Sequence, residues 1–551
     1  MEGKKFSPPP MLQAGDPPPR GFDPFKSPES IDTLVDTAGF GVAGEMQYDP
    51  SLYGSLRPGE CPKFFSMECS GLLGATFSSV FSIYALLNLT APLLASVLSP
   101  QEQLSVQRFT ELPFCIAILI GLLSDCVPIF GLRRKAYVLI GLALNAIAIV
   151  VIAIVASNME THNVPGNKKR ISSVVVVAIM IALSGVGCMF VNICVQARIV
   201  ELSQREPLAI RGAIQSDYLI VRRVSTYITF IFTYFSVGTV PMAPNLALST
   251  GLFISAGISL LPLPLIIFYW QEDYQSLSMT LAARSRICWK ILQQKAVWRT
   301  FVFICFFVLF LNIRFTTPAV TVLVWAGAAK DNGFVTRTIS EVMALIGVLL
   351  WRYVFLNRSW RWFFLLVPVL TVVPGIIVSA LVSYDVVRDR YFYRAMMALS
   401  SIGDGIAVVS NLIPITEIVQ EGSEGVMMAI VSTLQRLFSI FDNTNANGIF
   451  RANNFYNPAD IMLDDTHARN AIFGTLMINY VLNACAAFGL LFLPRQKLDA
   501  QHMRMYGGFT KIASSAMVMV GVALLFYSIF LNVLTFIPST ACSPIVGGSG
   551  C

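Results

Sequence analysis

The sequence predicts an all-α polytopic membrane protein built as two six-helix halves, with a further apolar run beyond the second half. Three observations lead there. The 551-residue chain is 55% hydrophobic and only 13% charged, whereas soluble domains carry about 25% charged residues. Its long apolar runs each approach the ~20 residues that cross a bilayer as a helix, and lipid cannot satisfy the backbone groups of an open alternative. One pattern of loop residues also occurs twice, at corresponding points of the two halves. Mean hydropathy is +0.66. The net charge of +7 lies mostly in loops, where it sets topology and does not mark a nucleic-acid surface.

Residues 1–65 are rich in Pro, Gly, Ser and acids, with Pro8–Pro10, Pro17–Pro19, Asp32 and Asp36. They have neither a signal-peptide nor a transit-peptide pattern, and read as a disordered cytosolic tail. Spans follow at 71–98, 108–130, 135–157, 171–195, 214–240 and 247–270, which make the first half (66–270). The linker 271–297 carries Arg284, Arg286, Lys290 and Lys295 among Leu281, Ile287, Trp289 and Leu292, a pattern expected of a basic helix lying along the membrane surface. The second half (298–495) has spans at 298–326, 339–356, 362–384, 390–415, 424–443 and 468–493. In the tail (496–551), 512–536 is a thirteenth apolar run that either crosses the membrane or packs on the bundle. With a cytosolic N-terminus, the loops at 133–135, 198–211, 284–295, 358–361 and 495–504 hold most of the cations, although Lys168–Arg170 runs against the rule.

Cys115, Cys188, Cys194, Cys305 and Cys485 lie in apolar runs and read as packing residues, while Cys542 and Cys551 are placed to pair only in an oxidising compartment. His162, His467 and His502 all fall in loops, which argues against a membrane-embedded metal site or histidine proton relay. No Gly-x4-Gly-Lys-Ser/Thr motif is present, so no nucleotide or other cofactor is expected.

The stretch Gly121-Leu-Leu-Ser-Asp-Cys-Val-Pro-Ile-Phe-Gly-Leu-Arg-Arg-Lys135 closes one span and opens the next. Gly347 to Asn357, followed by Arg358 and Arg361, repeats its ten-residue spacing with Trp351 in place of Asp125. Gly131 and Asn357 are residue types that tolerate a left-handed turn. A second echo pairs Val200-Glu201 and Arg211-Gly-Ala-Ile-Gln-Ser216 with Thr416-Glu417 and Glu421-Gly-Ser-Glu-Gly425. Gly212 precedes Arg223 by eleven residues, as Gly425 precedes Arg436. Duplicated six-helix halves joined by a long linker are the layout of major facilitator transporters, which hold substrate between the halves near mid-membrane.

The Val127-Pro-Ile-Phe-Gly131 insert resembles the expanded loop of the folate–biopterin transporter family, where most major facilitator proteins have a tighter turn. Val200-Glu201 with Arg211–Ser216, Pro414-Ile-Thr-Glu417 with Gly422–Gly425, and Leu261-Pro-Leu-Pro264 resemble its other signatures. The resemblance covers about residues 66–495 and implies alternating access with a folate, a pterin or a related organic anion as substrate. It also implies acidic residues on the fourth span before Val200-Glu201, where this chain has Asn192 and Gln196.

Ionisable residues inside spans are costly and mark function by default. Counting along the predicted spans puts Arg222 and Arg223 about 12–14 Å into the fifth, Arg436 about 18 Å into the eleventh, Arg314 about 24 Å into the seventh and Asp404 about 21 Å into the tenth. Convergent arginines suit an organic anion, because guanidinium binds carboxylate bidentately and stacks on aromatic rings. Phe232, Tyr234, Phe303 and Phe315 are candidate stacking partners, and Asp404 is the carboxylate available for proton symport. The competing reading of the arginines is an internal brace such as Arg436–Asp404. Asp125 with Arg133 and Arg134 reads as a gate at the cytosolic ends of the spans, or as a static loop brace sharing its chemistry. Glu201 and Glu417 are positioned for the same role, while Glu111 and Glu341 are titratable or merely solvated.

The expected protein is a monomeric carrier of an organic anion and protons in contact with lipid, most simply in the plasma membrane. S-adenosylmethionine and nucleosides are the alternative cargoes, and a receptor or scaffold on the same fold is the alternative role. An intramembrane aspartyl protease needs two facing carboxylates. Tyr384-Asp385 and Gly403-Asp404 match that motif weakly, with Ser401 where it expects Gly. Asn357-Arg-Ser359 is a glycosylation sequon that the expected topology puts in the cytosol.

Overall fold

Helices account for nearly all of the described chain, and their ends follow from local chemistry. The computed structural model describes residues 54–161, 168–237, 246–272, 274, 280–330, 333–448, 464–537, 540 and 543–546, with no strand among them. Most of the expected tail (1–53), His162, Cys542 and Cys551 lie outside the described residues. The first half consists of α1 (Ser70–Val97), α2 (Pro100–Cys115), α3 (Ala117–Cys126), α4 (Lys135–Thr161), α5 (Lys168–Gln204), α6 (Ala213–Val237), α7 (Leu248–Leu260) and α8 (Leu263–Tyr269). Ser99 starts α2 with a capping box to Glu102 and a proline at the first turn. The linker forms α9 (Leu281–Leu292), capped by the Thr280 hydroxyl.

The second half consists of α10 (Lys295–Asn312), α11 (Thr316–Trp325), α12 (Gly333–Leu350), α13 (Trp360–Ser383), α14 (Arg390–Val409), α15 (Ile413–Ile418), α16 (Glu424–Gly448) and α17 (Thr466–Ala484), followed by α18 (Lys497–Tyr506) and α19 (Lys511–Phe536). The expected continuous span 298–326 is broken at Ile313–Phe315. Asn483 donates to the Phe310 and Ile313 carbonyls at 2.6 and 3.1 Å, and Asn479 accepts from the Phe315 N–H at 2.8 Å. Two asparagines of α17 thus satisfy backbone groups that lipid would leave unpaired. Asn357 shows no positive φ, unlike Gly131 at +78°, so the second loop copy does not repeat the left-handed turn. Asn357 instead donates to Ala209 O at 2.9 Å.

Among the described residues, twelve helical stretches are long and apolar enough to cross a membrane, Lys511–Phe536 included. The 25-residue α6 is not among them, because Arg222, Arg223 and a run of Ser, Thr and Tyr side chains lower its hydropathy. It nevertheless packs as one of the bundle, against α1 and α12. The halves meet along two seams, α3 against α16 and α6 against α12. At the first seam a Cβ on Gly121 would lie 2.5 Å from both the Gly425 carbonyl oxygen and the Ala429 methyl; only glycine allows that approach. Outside this seam α19 packs on both α2 and α16, and Ser105 donates to Thr535 O at 2.8 Å.

The amphipathic α18 lies across the basic end of the bundle. Lys497 is buried and donates to Leu208 O at 3.2 Å and Asn357 Oδ1 at 3.1 Å. Burial lowers its pKa from 10.5 to about 8, with the Arg211 charge acting in the same direction and Glu417 opposing. Between those two values the unfolded chain binds the proton that the folded chain has lost, so stability rises with pH. Thermal unfolding followed from pH 8 to 10.5 is expected to show this added stabilisation, and Lys497→Met is expected to remove it.

Candidate functional site

Asn192, Gln196, Arg222, Arg223, Arg314, Asp404 and Arg436 all line one cavity of about 550 Å³ between the halves. Its size is that of a small-molecule site. An adjoining hollow of about 320 Å³ shares Gln196, Arg222 and Arg223 with it. Helical spacing explains the α16 contribution, since Ser432, Gln435, Arg436 and Ser439 form one stripe facing the cavity.

The arginines differ in their partners. Arg223 pairs with Glu341 at 3.6 Å and donates to Asp404 O at 3.1 Å. Arg314, on the broken segment between α10 and α11, pairs with Asp404 at 3.3 Å, the two side chains being 66% and 51% exposed. Arg222 donates to the Tyr218 hydroxyl at 3.2 Å, which also accepts from Gln196 at 3.4 Å. Arg436 stacks 5.0 Å from the centroid of Phe114. Among the described residues neither Arg222 nor Arg436 has a carboxylate partner. Four arginines against Asp404 and Glu341 leave a positive excess of two charges at the cavity.

Several expectations are corrected. Asp404 takes Arg314, so the Arg436–Asp404 brace is not formed. The anticipated aromatic partners lie elsewhere: Phe303 and Phe315 are buried in packing, Phe232 rests on Phe81 and Tyr234 on Phe334. Tyr84, Phe114 and Phe307 are the cavity's aromatics. Asp385 pairs with Arg388 at 3.1 Å while Asp404 pairs with Arg314, so the facing carboxylates of an aspartyl protease are absent among the described residues.

A second cluster closes the basic end of the bundle. Arg134 is fully buried and lies 2.6 Å from Asp125, 3.4 Å from Glu201 and 3.5 Å from Glu424. Burial alone would lower its pKa, but the Asp125, Glu201 and Glu424 carboxylates reverse that and raise it. Arg133 reaches Asp125 at 3.3 Å and Gly422 O at 3.1 Å, and Arg198 holds Glu201 at 3.0 Å. The other Asp125 oxygen accepts from the Val426 N–H at 2.8 Å, so an acid of the first half caps the first turn of α16 in the second. Glu417 joins a neighbouring network, pairing with Arg211 at 3.1 Å and accepting from Gln501 at 2.6 Å.

Sequence reasoning missed several of these partners. Glu424 lies within a motif already quoted, but its link to Arg134 spans 290 residues. Glu272 accepts from the successive Arg133, Arg134 and Lys135 N–H groups at 2.8–2.9 Å, anchoring the start of α4. Arg57 comes from the segment before α1 and pairs with Glu424 at 2.8 Å and Glu421 at 3.2 Å. The Leu56 and Arg57 N–H groups meanwhile donate to Gln204 O. Arg284 is buried and donates to Asp125 O at 3.3 Å, not facing headgroups as expected, because α9 packs against α3 and α10. Glu111 pairs with Arg108 at 3.5 Å.

Comparison with known proteins adds a family and a fold. The BT1 family profile matches residues 93–494. No curated protein matches the chain. Among solved structures, a bacterial homologue of the iron transporter ferroportin in an outward-facing state aligns with TM-score 0.54 at 12% identity, covering 76% of this chain and 98% of that one. The proton:xylose symporter XylE bound to 6-bromo-6-deoxy-D-glucose aligns with TM-score 0.54 at 17% identity, covering 82% and 98%. A D-xylose–proton symporter gives TM-score 0.54 at 17% identity over 78% and 99%. At these identities the likeness establishes the fold, that of the major facilitator transporters.

Removing one member of a buried ion cluster costs ~3–5 kcal/mol, and ~1.4 kcal/mol changes a population tenfold. Cys126, beside Asp125, is 2% exposed and reports on closure of this end. Arg134→Gln is expected to raise maleimide labelling of Cys126 at least about tenfold, read by peptide mass spectrometry. Labelling at the wild-type rate would mean that the cluster does not hold this end shut.

Proposed function

The chain belongs to the BT1 family, the folate–biopterin transporter family, and on that premise we propose that it carries folate, a pterin or a related organic anion by proton-coupled alternating access. It is a multi-pass membrane protein with the fold of membrane transporters. The observation that carries the substrate reading is that, among the described residues, Arg222 and Arg436 have no carboxylate partner in a cavity with two excess positive charges. Folate brings two carboxylates and a flat ring, which match that excess and the Tyr84, Phe114 and Phe307 faces. The sulfonium cation of S-adenosylmethionine would meet like charge, and a neutral nucleoside would leave the arginines uncompensated.

In this reading the Arg134 cluster is the cytosolic gate, shut while the cavity waits for substrate from the other side. Substrate carboxylates neutralise Arg222 and Arg436, the halves rock about the cavity, and Asp125 leaves the start of α16. The plasma membrane is the proposed location, with a monomer as the working unit.

Uptake of radiolabelled folate into vesicles under an inward proton gradient tests the proposal. Losing one partner of a desolvated charge contact costs roughly 2–5 kcal/mol. Arg222→Ala and Arg436→Ala are each therefore expected to raise KM by about thirty-fold or more, with smaller effects on kcat. Pteroate, which lacks the glutamate tail, should compete more weakly than folate. Equal competition by S-adenosylmethionine or nucleosides, or folate uptake indifferent to both substitutions, would overturn the substrate assignment.

A further inference from the structure

Asp442 is a buried carboxylate on α16 that neither the gate nor the cavity uses. It is 2% exposed, and among the described residues neither of its oxygens has a hydrogen-bond partner. It lies one turn beyond Ser439 and two turns beyond Gln435, both cavity-lining residues of the same helix. From Glu424 in the gate it is about 27 Å along the helix axis, and from Arg436 about 9 Å.

Among the residues whose side chains are described, the charged and titratable groups nearest to it on the elements packed against α16 have other partners or are buried thiols. On α2, Arg108 pairs with Glu111 and donates to Thr444 Oγ1, and the Cys115 thiol is buried. Arg314, between α10 and α11, holds Asp404, and the Cys305 thiol of α10 is partly buried. On α19, the Tyr527 hydroxyl accepts from Asn445 at 3.4 Å. On α16 itself, Arg436 stacks on Phe114. The ionisable groups of α3 and of the end of α5, namely Asp125, Arg198 and Glu201, belong to the gate cluster at the other end of α16. Among the described residues an ionised carboxylate so placed faces no countercharge and is almost wholly removed from solvent, and such a group remains neutral by keeping its proton. Asp404, by contrast, is half exposed and paired with Arg314.

We infer that Asp442 is the proton-binding site of this transporter, a role the sequence had assigned to Asp404. The inference rests on the proposed proton coupling and names the residue that performs it. Asp442 holds its proton while the basic end is closed. When α16 moves and water reaches the carboxyl, the O–H bond breaks, the electron pair stays on the carboxylate and the proton passes to water. Because one helix carries Asp442, Arg436 and the gate residue Glu424, a change of charge at Asp442 acts on the element that also binds substrate and closes the gate.

Two measurements on the full-length protein in liposomes test this. The first is an infrared difference spectrum between acidic and alkaline buffer without substrate, in which Asp442→Asn is expected to lose one carboxyl band that Asp442→Glu retains in shifted form. An unchanged band pattern in Asp442→Asn overturns the assignment. In the second, Asp442→Asn is expected to lose proton-driven folate accumulation at least tenfold while keeping folate–folate exchange, which also shows that the variant is folded. Full proton-driven accumulation by Asp442→Asn overturns the coupling role and leaves the substrate proposal standing. Absence of folate transport by the wild type removes the substrate proposal instead, and the infrared measurement then decides the proton site.

Discussion

The basic end is assembled around the buried guanidinium of Arg134. Arg134 has no exposed surface and faces Asp125, Glu201 and Glu424 within 3.5 Å. Each of these charges costs several kcal/mol to desolvate, roughly, and only the assembled set offsets that cost. Such a cluster does not loosen gradually. With all partners in place it is stable, and with the halves apart each member needs water. In the proposed alternating-access cycle that favours two discrete arrangements of the bundle over intermediates. The close approach of α3 and α16 is part of the same constraint. A Cβ on Gly121 would run into the Gly425 carbonyl, and one on Gly425 would run into the Arg134 guanidinium and the Asp125 carboxylate.

Helix α16 connects the rest. Its first turn is capped by an acid from the other half, its middle presents Gln435, Arg436 and Ser439 to the cavity, and its far part buries Asp442. It also packs against α3, α10 and α19, so it belongs to the core, the seam and the outer face together. A continuous helix hydrogen-bonded from end to end transmits displacement along its length with little local give. The adjoining break at Ile313–Phe315 has the opposite character, since its backbone turns to side chains of another helix, Asn479 and Asn483, for hydrogen bonds.

Span number and cavity chemistry were legible in the sequence because each rests on local signals. Apolar length identifies the helices, and charge within an apolar run identifies Arg222, Arg223, Arg314, Arg436 and Asp404. What stayed hidden depends on pairing across the chain. Glu424, Glu272 and Arg57 are unremarkable loop or helix-end charges until the fold brings them to Arg134 or its neighbours. Arg284 was misread because an amphipathic pattern specifies a buried face without saying whether lipid or protein covers it. The stacking residues were misread for a similar reason: Phe303 on its helix and Phe315 in the break both turn into the packing. Asp442 stands among Asn and Thr residues near the end of an apolar run, where nothing in the local sequence shows that packing buries it.

The segment before α1 has a consequence for how the molecule is made. Its Leu56 and Arg57 backbone binds the end of α5, and its Arg57 side chain binds Glu424, 367 residues later in the chain. During synthesis Arg57 leaves the ribosome ahead of the twelve expected spans, whereas its partner follows ten of them. A contact of such sequence separation forms late, and here it forms only on a chain whose two halves are both inserted and apposed. The same arginine that adds a countercharge to the shut end is thus a mark of finished assembly, a seam fastened by a segment made long before its partner.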